Sequence, residues 1–317
     1  MAKKTKLLIT VIAAICIVLV AGAIVGWQYY LEDQISFTIK DTLPDGNGEE
    51  ATVILLGGQS NASGCSLDEY LKRNVSAEKY DEYQNGYDNV FINYLSGANR
   101  SEEFVKCKSF QGELEGAFGP ELGLSEKLHA LYPDKIFFII KYAWGGSNLH
   151  TQWLSPSSFG KTGDFYKEFV KYTQTSIEYL VNKNYDVKIA GMCWMQGESD
   201  AFSVNASKSY GKHLNNFIED IRKKFAKYAA EDGIAFVDAY IAANPAFWVY
   251  YENVNQGKRE VAAASHLNVV IDTITAGLEC SREPEENPDL PHYDSLSQIK
   301  LGHLFAEQIA SFLNLNA

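Results

Sequence analysis

Residues 51–61 decide the fold and read Ala-Thr-Val-Ile-Leu-Leu-Gly-Gly-Gln-Ser-Asn. The first part, Thr52–Leu56, is apolar on both sides, which predicts a strand buried on both faces of a sheet. Gly57 and Gly58 permit a tight exit from that strand, because glycine adopts backbone angles that other residues avoid. The stretch therefore predicts a buried strand that turns directly into the start of a helix.

The rest of the chain repeats the alternation of short apolar segments with segments of helical i, i+3, i+4 spacing. The predicted strands are Thr52–Leu56, Asn89–Leu95, Lys135–Tyr142, Val187–Met195 and Ile234–Val237, and the predicted helices are Pro120–Tyr132, Asp164–Lys183, Ser207–Ala230 and Leu296–Leu313. Such alternation is typical of a parallel sheet covered by helices on both faces. We predict one α/β domain over residues 51–317, with residues 240–290 as an insertion or a lid because they fit the alternation least well.

Composition excludes several classes of protein. The 317 residues are 46% hydrophobic with only 8 Pro and 24 Gly, which is unlike a disordered or collagen-like chain. The net charge is −12, and because the first 27 residues hold three lysines and no acid, residues 28–317 carry −15. A region with this negative charge repels nucleic acid and anionic lipid. No nucleic-acid partner is therefore expected.

The N-terminus predicts a membrane anchor. Residues 7–27 carry no charge and are about as long as the ~20 residues that cross a bilayer as a helix. Lysines precede this run and acids follow it, which places residues 1–6 in the cytoplasm and the rest of the chain outside. We therefore expect a cytoplasmic stub, a transmembrane signal-anchor over 7–27, a tether over 28–50 and an extracytoplasmic domain at the cell membrane. Cleavage of a signal peptide near Val20–Ala23, which would release the protein, is the alternative.

The cysteines outside the apolar run do not indicate a metal site. Cys65, Cys107, Cys193 and Cys280 are widely spaced and form no pattern of zinc ligands, so neither a metal nor a cofactor is predicted. An oxidising compartment permits a Cys65–Cys107 disulfide, and four free thiols are the equal alternative.

Ser60 is the first candidate for chemistry, because it follows the predicted strand at the point where a helix begins. Backbone N–H groups at such a turn stabilise a developing oxyanion, so the position suits a nucleophile. A Ser-Asn helix cap is the competing interpretation. A phosphate-binding loop is disfavoured because its characteristic lysine is missing.

A serine nucleophile needs a base, and His292 is the best placed of the six histidines. It lies just before the last predicted helix in a segment stiffened by two prolines. Asp289, three residues earlier, is expected to hold the imidazole, with Asp294 as a less favoured partner. An unremarkable surface turn is the alternative for this segment.

Two further loops follow predicted strands and supply polar groups. Gly145 and Gly146 offer backbone N–H groups to an oxyanion, and Gln196 offers an amide. Glu198 and Asn61 are expected to bind the oxyanion or the substrate, and Glu198 can also orient its neighbours. A glycosidase pair formed by two acids, Glu198 and Asp200, is a weaker alternative.

Together these segments resemble the SGNH-hydrolase superfamily, in its sialate O-acetylesterase-like branch of carbohydrate acetyl esterases. The resemblance spans residues 51–313 and rests on Gly57–Asn61, Gly119–Glu121, Trp144–Ser147, Trp194–Glu198 and Asp289–Tyr293. It implies a flavodoxin-like three-layer α/β/α fold with a central parallel sheet, here preceded by one transmembrane helix. It also implies a Ser60, His292 and Asp289 triad.

The resemblance further implies an oxyanion hole formed by the Ser60 backbone, by Gly145 or Gly146, and by Gln196, which would replace the superfamily's missing G-x-N-D block. We therefore expect a membrane-anchored serine esterase that removes O-acetyl groups from carbohydrates without a cofactor. A non-catalytic carbohydrate-binding protein and a lipase or thioesterase are the alternatives. Trp144, Trp153 and Trp194 are candidates for stacking on sugar rings.

Overall fold

The computed structural model describes residues 35–314, and their central element is an eight-stranded sheet. The strands of the chain are β1 (Glu50–Gly58), β2 (Ser66–Leu67), β3 (Val90–Ser96), β4 (Asn99–Arg100), β5 (Val105–Lys106), β6 (Ala117–Phe118), β7 (Phe137–Ala143), β8 (Asp186–Met195), β9 (Ala235–Ala239) and β10 (Asn268–Ile271). The helices are α1 (Ser60–Ser63), α2 (Asp68–Asn74), α3 (Ala77–Asn85), α4 (Glu121–Leu131), α5 (Asp164–Asn182), α6 (Val204–Phe225), α7 (Tyr251–Ala263) and α8 (Ser295–Asn314).

The order of the strands confirms the expected topology. The main path of the sheet is β10-β9-β8-β1-β7-β3-β4, and β5 also pairs with β3. All pairings among the six strands from β10 to β3 are parallel, whereas β4 and β5 run antiparallel to β3. Without the additional strand β3, the order of the parallel strands is 2-1-3-4-5, the flavodoxin-like order. The carboxyl end of β1 therefore lies at the switch point between β7 and β8, where ligands bind in such sheets.

Helices cover both faces of the sheet. Tyr142 of β7 packs its ring against Phe169 of α5, while its neighbour Lys141 forms an ion pair with Glu121 of α4. Because successive residues of a strand point to opposite faces, α4 and α5 lie on opposite sides. The last helix, α8, packs against α4, and α6 packs against α7, which completes three layers.

Two of the three tryptophans predicted to stack on sugar rings lie in the aromatic core. Trp153 and Trp194 are fully buried, and their rings meet edge to face with centroids 5.1 Å apart. Phe217 of α6 packs against both of them. The interpretation of Trp153 and Trp194 as sugar-binding residues is therefore wrong, because their apolar area stabilises the core instead. Trp144 stacks on Phe165 at 5.3 Å.

Most predicted elements are present, and residues 240–290 are the main exception. The predicted helix Ser207–Ala230 begins earlier, at Val204, because the Ser203 side chain caps it by accepting from the Ala206 N–H. Residues 251–271 form α7 and β10, which extend the sheet beyond β9 and are not a lid. The sequence did not single out β10 because its first residue is the polar Asn268 and only three apolar residues follow.

The domain begins earlier than the sequence indicated. One compact unit starts at Thr38, and the Gly46 and Gly48 N–H groups donate to carbonyl oxygens at Lys183 and Asn184. Leu43 is buried. The predicted tether over 28–50 therefore ends near residue 38. The predicted cytoplasmic stub and signal-anchor lie outside the described residues.

Between residues 35 and 314, no helix combines the length and the apolar character that a membrane span requires.

The four cysteines of the domain are free thiols, which confirms that alternative and rules out the Cys65–Cys107 disulfide that was weighed equally with it. Cys65, Cys107 and Cys193 are buried, and Cys107 instead donates its S–H to the backbone oxygen of Glu121. Burial raises the pKa of the Cys107 and Cys193 thiols well above the ordinary value. These two thiols are inert parts of the core.

A fully buried ion pair links β7 of the sheet to α4, the helix that precedes it in the chain. Lys141 Nζ donates to Glu121 Oε2 at 2.7 Å, to the Ser63 carbonyl at 2.9 Å and to the Gln111 carbonyl at 3.1 Å. The other carboxylate oxygen of Glu121 accepts from the Gly119 N–H at 2.8 Å. Both side chains are wholly shielded from solvent. Since each charge has several partners, the pair fixes β7, α4 and α1 in one arrangement.

We expect Lys141→Met to lower the free energy of unfolding by about 3–5 kcal/mol, because it leaves the Glu121 carboxylate buried without its partner. Urea denaturation of the variant and the parent measures this difference. Lys135→Met is the matched control, since Lys135 pairs with Glu50 on the surface, where such pairs contribute about 0–1 kcal/mol. Equal losses in the two variants would contradict the role given to the buried pair.

Candidate active site

A cavity of about 350 Å³ opens where the loops after β1, β7 and β8 meet the segment before α8. Five of the eight residues nominated from sequence line it, namely Ser60, Gly145, Gly146, Glu198 and His292. Asp289 touches His292 from the adjoining cavity. Asn61 and Gln196 do not line the cavity and have other roles.

The turn that presents Ser60 depends on Gly58. Gly58 has a φ of +139°, and a Cβ there would lie 2.0 Å from the carbonyl oxygen of Met195. Only glycine tolerates this close approach of β1 to the end of β8. Gln59 then donates its N–H to the same Met195 oxygen, and its carbonyl accepts from Ala62 and Ser63. The Ser60 N–H has no acceptor among the described residues, so it is available to a ligand.

His292 and Asp289 form the expected pair. The Nδ1 atom of His292 lies 2.8 and 2.9 Å from the two carboxylate oxygens of Asp289. Nδ1–H therefore donates to Asp289, which leaves Nε2 to exchange a proton. Ser60 and His292 line the same cavity without a hydrogen bond between their side chains, a common state of catalytic pairs before substrate binds.

The charge of His292 depends on its surroundings. Burial lowers the pKa of its imidazole. The hydrogen bond and charge of Asp289, together with the adjacent Cys65, outweigh this effect and raise the pKa to about 10. The free protein therefore holds His292 as an imidazolium at neutral pH. A proton acceptor must be neutral, so the pKa of this group governs the pH at which the site works.

Asn61 joins the parts of the site and does not face the cavity. Its Nδ2 donates to Glu198 Oε1 at 2.9 Å, and its Oδ1 accepts from the Tyr293 N–H at 3.0 Å. Its carbonyl oxygen accepts from the side chain of Gln298 at 2.7 Å. The expectation that Asn61 contacts substrate is therefore corrected, since these bonds use its amide to hold the turn at Ser60 against the segment that carries His292.

Gln196 does not line the cavity either. Its Nε2 donates to Asp200 at 2.7 Å and to the Ser147 carbonyl at 3.0 Å, and its Oε1 accepts from the Tyr210 hydroxyl. The side chain is fully buried. The predicted role of the Gln196 amide as an oxyanion donor is corrected, because the β7 loop and α6 take up its hydrogen-bonding groups.

Asp200 has a structural role. Its carboxylate accepts from the Leu149 and His150 N–H groups and so holds the loop after β7. Burial raises the pKa of Asp200, and these hydrogen bonds oppose the shift. Because Asp200 does not line the cavity, the structure gives no support to a glycosidase pair with Glu198.

Glu113 distinguishes between the two glycines of the β7 loop. Its Oε2 accepts from the Gly145 N–H at 2.8 Å and from the Ser63 hydroxyl at 2.5 Å. The Gly146 N–H has no acceptor among the described residues, so Gly146 is the one of the two that is free to bind a ligand. Sequence analysis missed Glu113 because it lies in an irregular loop without a motif.

Gln59 is a second residue that sequence analysis passed over. Its Oε1 accepts from the Ser199 N–H at 3.1 Å and from Gln196 Nε2 at 3.2 Å, and these donors fix the orientation of the amide. Its Nε2 has no acceptor in the described part of the chain, and the side chain lines the cavity. The position directly before Ser60 was the only available signal.

Glu198 is a buried acid at the wall of the cavity. Burial raises its pKa, and the hydrogen bond from Asn61 opposes that shift. Its Oε2 is buried and has no partner among residues 35–314. A buried polar atom without a partner calls for one, so Glu198 Oε2 is a candidate to hydrogen-bond a hydroxyl group of a ligand in the cavity.

Known proteins resemble this chain in sequence and fold. One curated relative, the probable 9-O-acetyl-N-acetylneuraminic acid deacetylase of Escherichia coli K12, is 24% identical over 192 residues, which are 55% of this chain and 57% of the relative. The chain thus spans little more than half the length of that protein. Among solved structures, NanS gives a TM-score of 0.61 at 18% identity, over 86% of this chain and 99% of NanS.

A protein from Arabidopsis thaliana gives a TM-score of 0.58 at 18% identity, over 85% of this chain and 99% of its own. These structural likenesses show the fold. The family model described as carbohydrate esterase, sialic acid-specific acetylesterase matches residues 50–311. Since that match covers most of the sequence, the chain belongs to the carbohydrate esterase family of sialic acid-specific acetylesterases.

Proposed function

We propose that this protein hydrolyses O-acetyl esters of carbohydrates, with Ser60 as the nucleophile. One observation carries the proposal: Ser60, the His292–Asp289 pair and the unpaired Gly146 N–H meet in a single cavity. Family membership names the class of ester, and the curated relative is itself described as a deacetylase of an acetylated sugar.

The first half of the reaction transfers the acetyl group to the protein. His292 Nε2 accepts the proton of the Ser60 hydroxyl while the serine oxygen attacks the ester carbonyl. The carbonyl oxygen becomes an oxyanion, and the Ser60 N–H, the Gly146 N–H and the Gln59 amide stabilise it. Each such donor contributes about 10²–10³-fold to the rate. His292 then returns the proton to the departing sugar hydroxyl.

The second half regenerates the serine. Water loses a proton to His292 Nε2 and attacks the acetyl-serine carbonyl, and the same donors stabilise the second oxyanion. Collapse of this intermediate releases acetate and returns the proton to Ser60. Asp289 holds the imidazole in the required tautomer throughout both steps.

We further propose that the enzyme is anchored in the cell membrane by residues 7–27, with its domain outside the cytoplasm. The uncharged run has the length of a span, and the lysines before it favour a cytoplasmic N-terminus.

Replacement Ser60→Ala is expected to lower the turnover of p-nitrophenyl acetate by at least about 10³-fold, because it removes the attacking oxygen. The rate of p-nitrophenol release measures the effect, and urea denaturation checks that the fold is intact. Ser199→Ala is the matched control, since Ser199 lines the same cavity and its hydroxyl has no role in the mechanism. Retention of the parental rate by Ser60→Ala would overturn the assignment.

The pH dependence of kcat/KM follows from the raised pKa of His292. Because only the neutral imidazole accepts the serine proton, kcat/KM should rise with pH from neutrality toward pH 10. In Asp289→Asn the negative charge is lost, so the rise should move to lower pH and the plateau should fall. Asp294→Asn is the control, since Asp294 caps α8 through the Ser297 N–H, a role that asparagine also performs. An identical profile in Asp289→Asn and the parent would contradict this role.

The anchor is tested by separating membranes from soluble proteins after expression in bacteria. The full chain should sediment with membranes, and a chain that begins at residue 28 should stay in the soluble fraction. Protease added outside spheroplasts should digest the domain of the full chain. Protection of the domain from that protease would contradict the proposed orientation.

A further inference from the structure

The lining of the cavity at Ser60 contains two acids, Glu113 and Glu198, and several apolar side chains, but no lysine or arginine of the described residues. From this we infer that the site selects O-acetylated sugars without a carboxylate and disfavours anionic ones such as sialic acids. The inference rests on the proposed esterase function and specifies its substrate class. Its physical basis is the charge that an incoming sugar meets beside the oxyanion donors.

Glu113 supplies that charge. One carboxylate oxygen is held by the Gly145 N–H and the Ser63 hydroxyl, while Oε1 has no hydrogen-bond partner among the described residues. The carboxylate is seated on two glycines, since a Cβ on Gly97 or Gly145 would lie 2.6 or 2.7 Å from the Glu113 side chain. It therefore stays beside the cavity, where it accepts a hydrogen bond from a sugar hydroxyl and repels a carboxylate.

The cationic groups near the site are already neutralised. His292 lines the cavity, but its charge is balanced by the bidentate contact with Asp289. Lys141 and Lys258 lie behind the cavity wall, and each is buried in an ion pair, with Glu121 and Asp238 respectively. No free positive charge of these residues can reach a substrate carboxylate.

The adjoining space is acidic as well. A second cavity of about 290 Å³ shares Cys65 and Leu114 with the first, and besides Asp289, which balances His292, it contains Glu283 and Asp294 but no lysine or arginine of the described residues. A sugar chain that extends past Ser60 in this direction meets further carboxylates. The charge of −15 on residues 28–317 acts in the same sense at longer range.

The remaining lining suits an uncharged ring. Phe202 and Leu114 border the cavity with 63% and 47% of their surfaces exposed, and Phe247 lies in the same lining. Exposed apolar side chains at a cleft mark ligand-binding surfaces, and the face of a phenyl ring packs against the C–H face of a pyranose. Such contacts need no charge on the sugar.

The decisive experiment compares two substrates that differ only in charge. Acetate release by the full chain is measured with 9-O-acetyl-N-acetylneuraminic acid and with its carboxyl methyl ester, beside an acetylated xylooligosaccharide and p-nitrophenyl acetate. We expect kcat/KM to be at least tenfold higher for the methyl ester than for the free acid at low salt. Added salt should narrow that ratio, because it screens the repulsion.

A ratio near one, or a preference for the free acid, would overturn the inference while leaving the esterase function intact. No hydrolysis of any substrate, p-nitrophenyl acetate included, would instead refute the proposed function on which it rests. The two failures are therefore distinguishable.

Two variants test whether Glu113 causes the preference for the uncharged substrate. Glu113→Gln keeps an oxygen for the Gly145 N–H but loses the charge, so the ratio between methyl ester and free acid should fall severalfold. Glu115→Gln, a change at an exposed acid outside the lining, should leave that ratio and the rate with p-nitrophenyl acetate unchanged. Equal ratios in both variants would show that Glu113 does not set the preference.

Phe202→Ala should raise KM for the xylooligosaccharide and not for p-nitrophenyl acetate. Equal effects on the two substrates would show that the Phe202 ring does not bind the sugar.

Discussion

The buried contact between Lys141 and Glu121 is the constraint on which the active site depends. A lysine in the middle of a parallel sheet is costly to bury, and it is tolerated here because a carboxylate and two carbonyl oxygens surround its ammonium group. One of those carbonyls belongs to Ser63, at the end of the turn that presents Ser60. The charge pair thus fixes the position of Ser60 relative to β7, whose loop carries Gly146.

The fold was largely predictable from sequence, because its decisive signals are local. Apolar runs such as Val187–Met195 must be buried on both faces, and amphipathic runs such as Asp164–Lys183 must cover them. The predicted elements are accordingly present, with ends displaced by caps such as Ser203. The strand β10 was not predicted because it adds only three apolar residues to the polar Asn268, so the unit that ends in it was misread as an insertion or a lid.

The positions of several site residues were predictable from sequence, because polar loops that directly follow buried strands lie at the ligand-binding edge of the sheet. Ser60 and the glycines after β7 were located by that rule, and His292 by its place three residues after Asp289 in a proline-stiffened segment, but the partners of these side chains depend on tertiary contacts. Gln196 and Asn61 had the right chemistry for oxyanion donors, yet Asp200 and Glu198 accept their N–H groups. Glu113 lies in an irregular loop, and only the folded chain shows its carboxylate against the Gly145 N–H.

The hydrogen bond between Asn61 and the Tyr293 N–H joins residues 232 positions apart. Ser60 is thus synthesised well before His292 and before the helix α8, which packs against α4. Contacts of such separation form late in folding, since the loop between them must first be closed. A ribosome-bound chain therefore carries the Ser60 turn without the segment that completes its cavity, and the cavity is complete only when α8 has emerged and packed against α4.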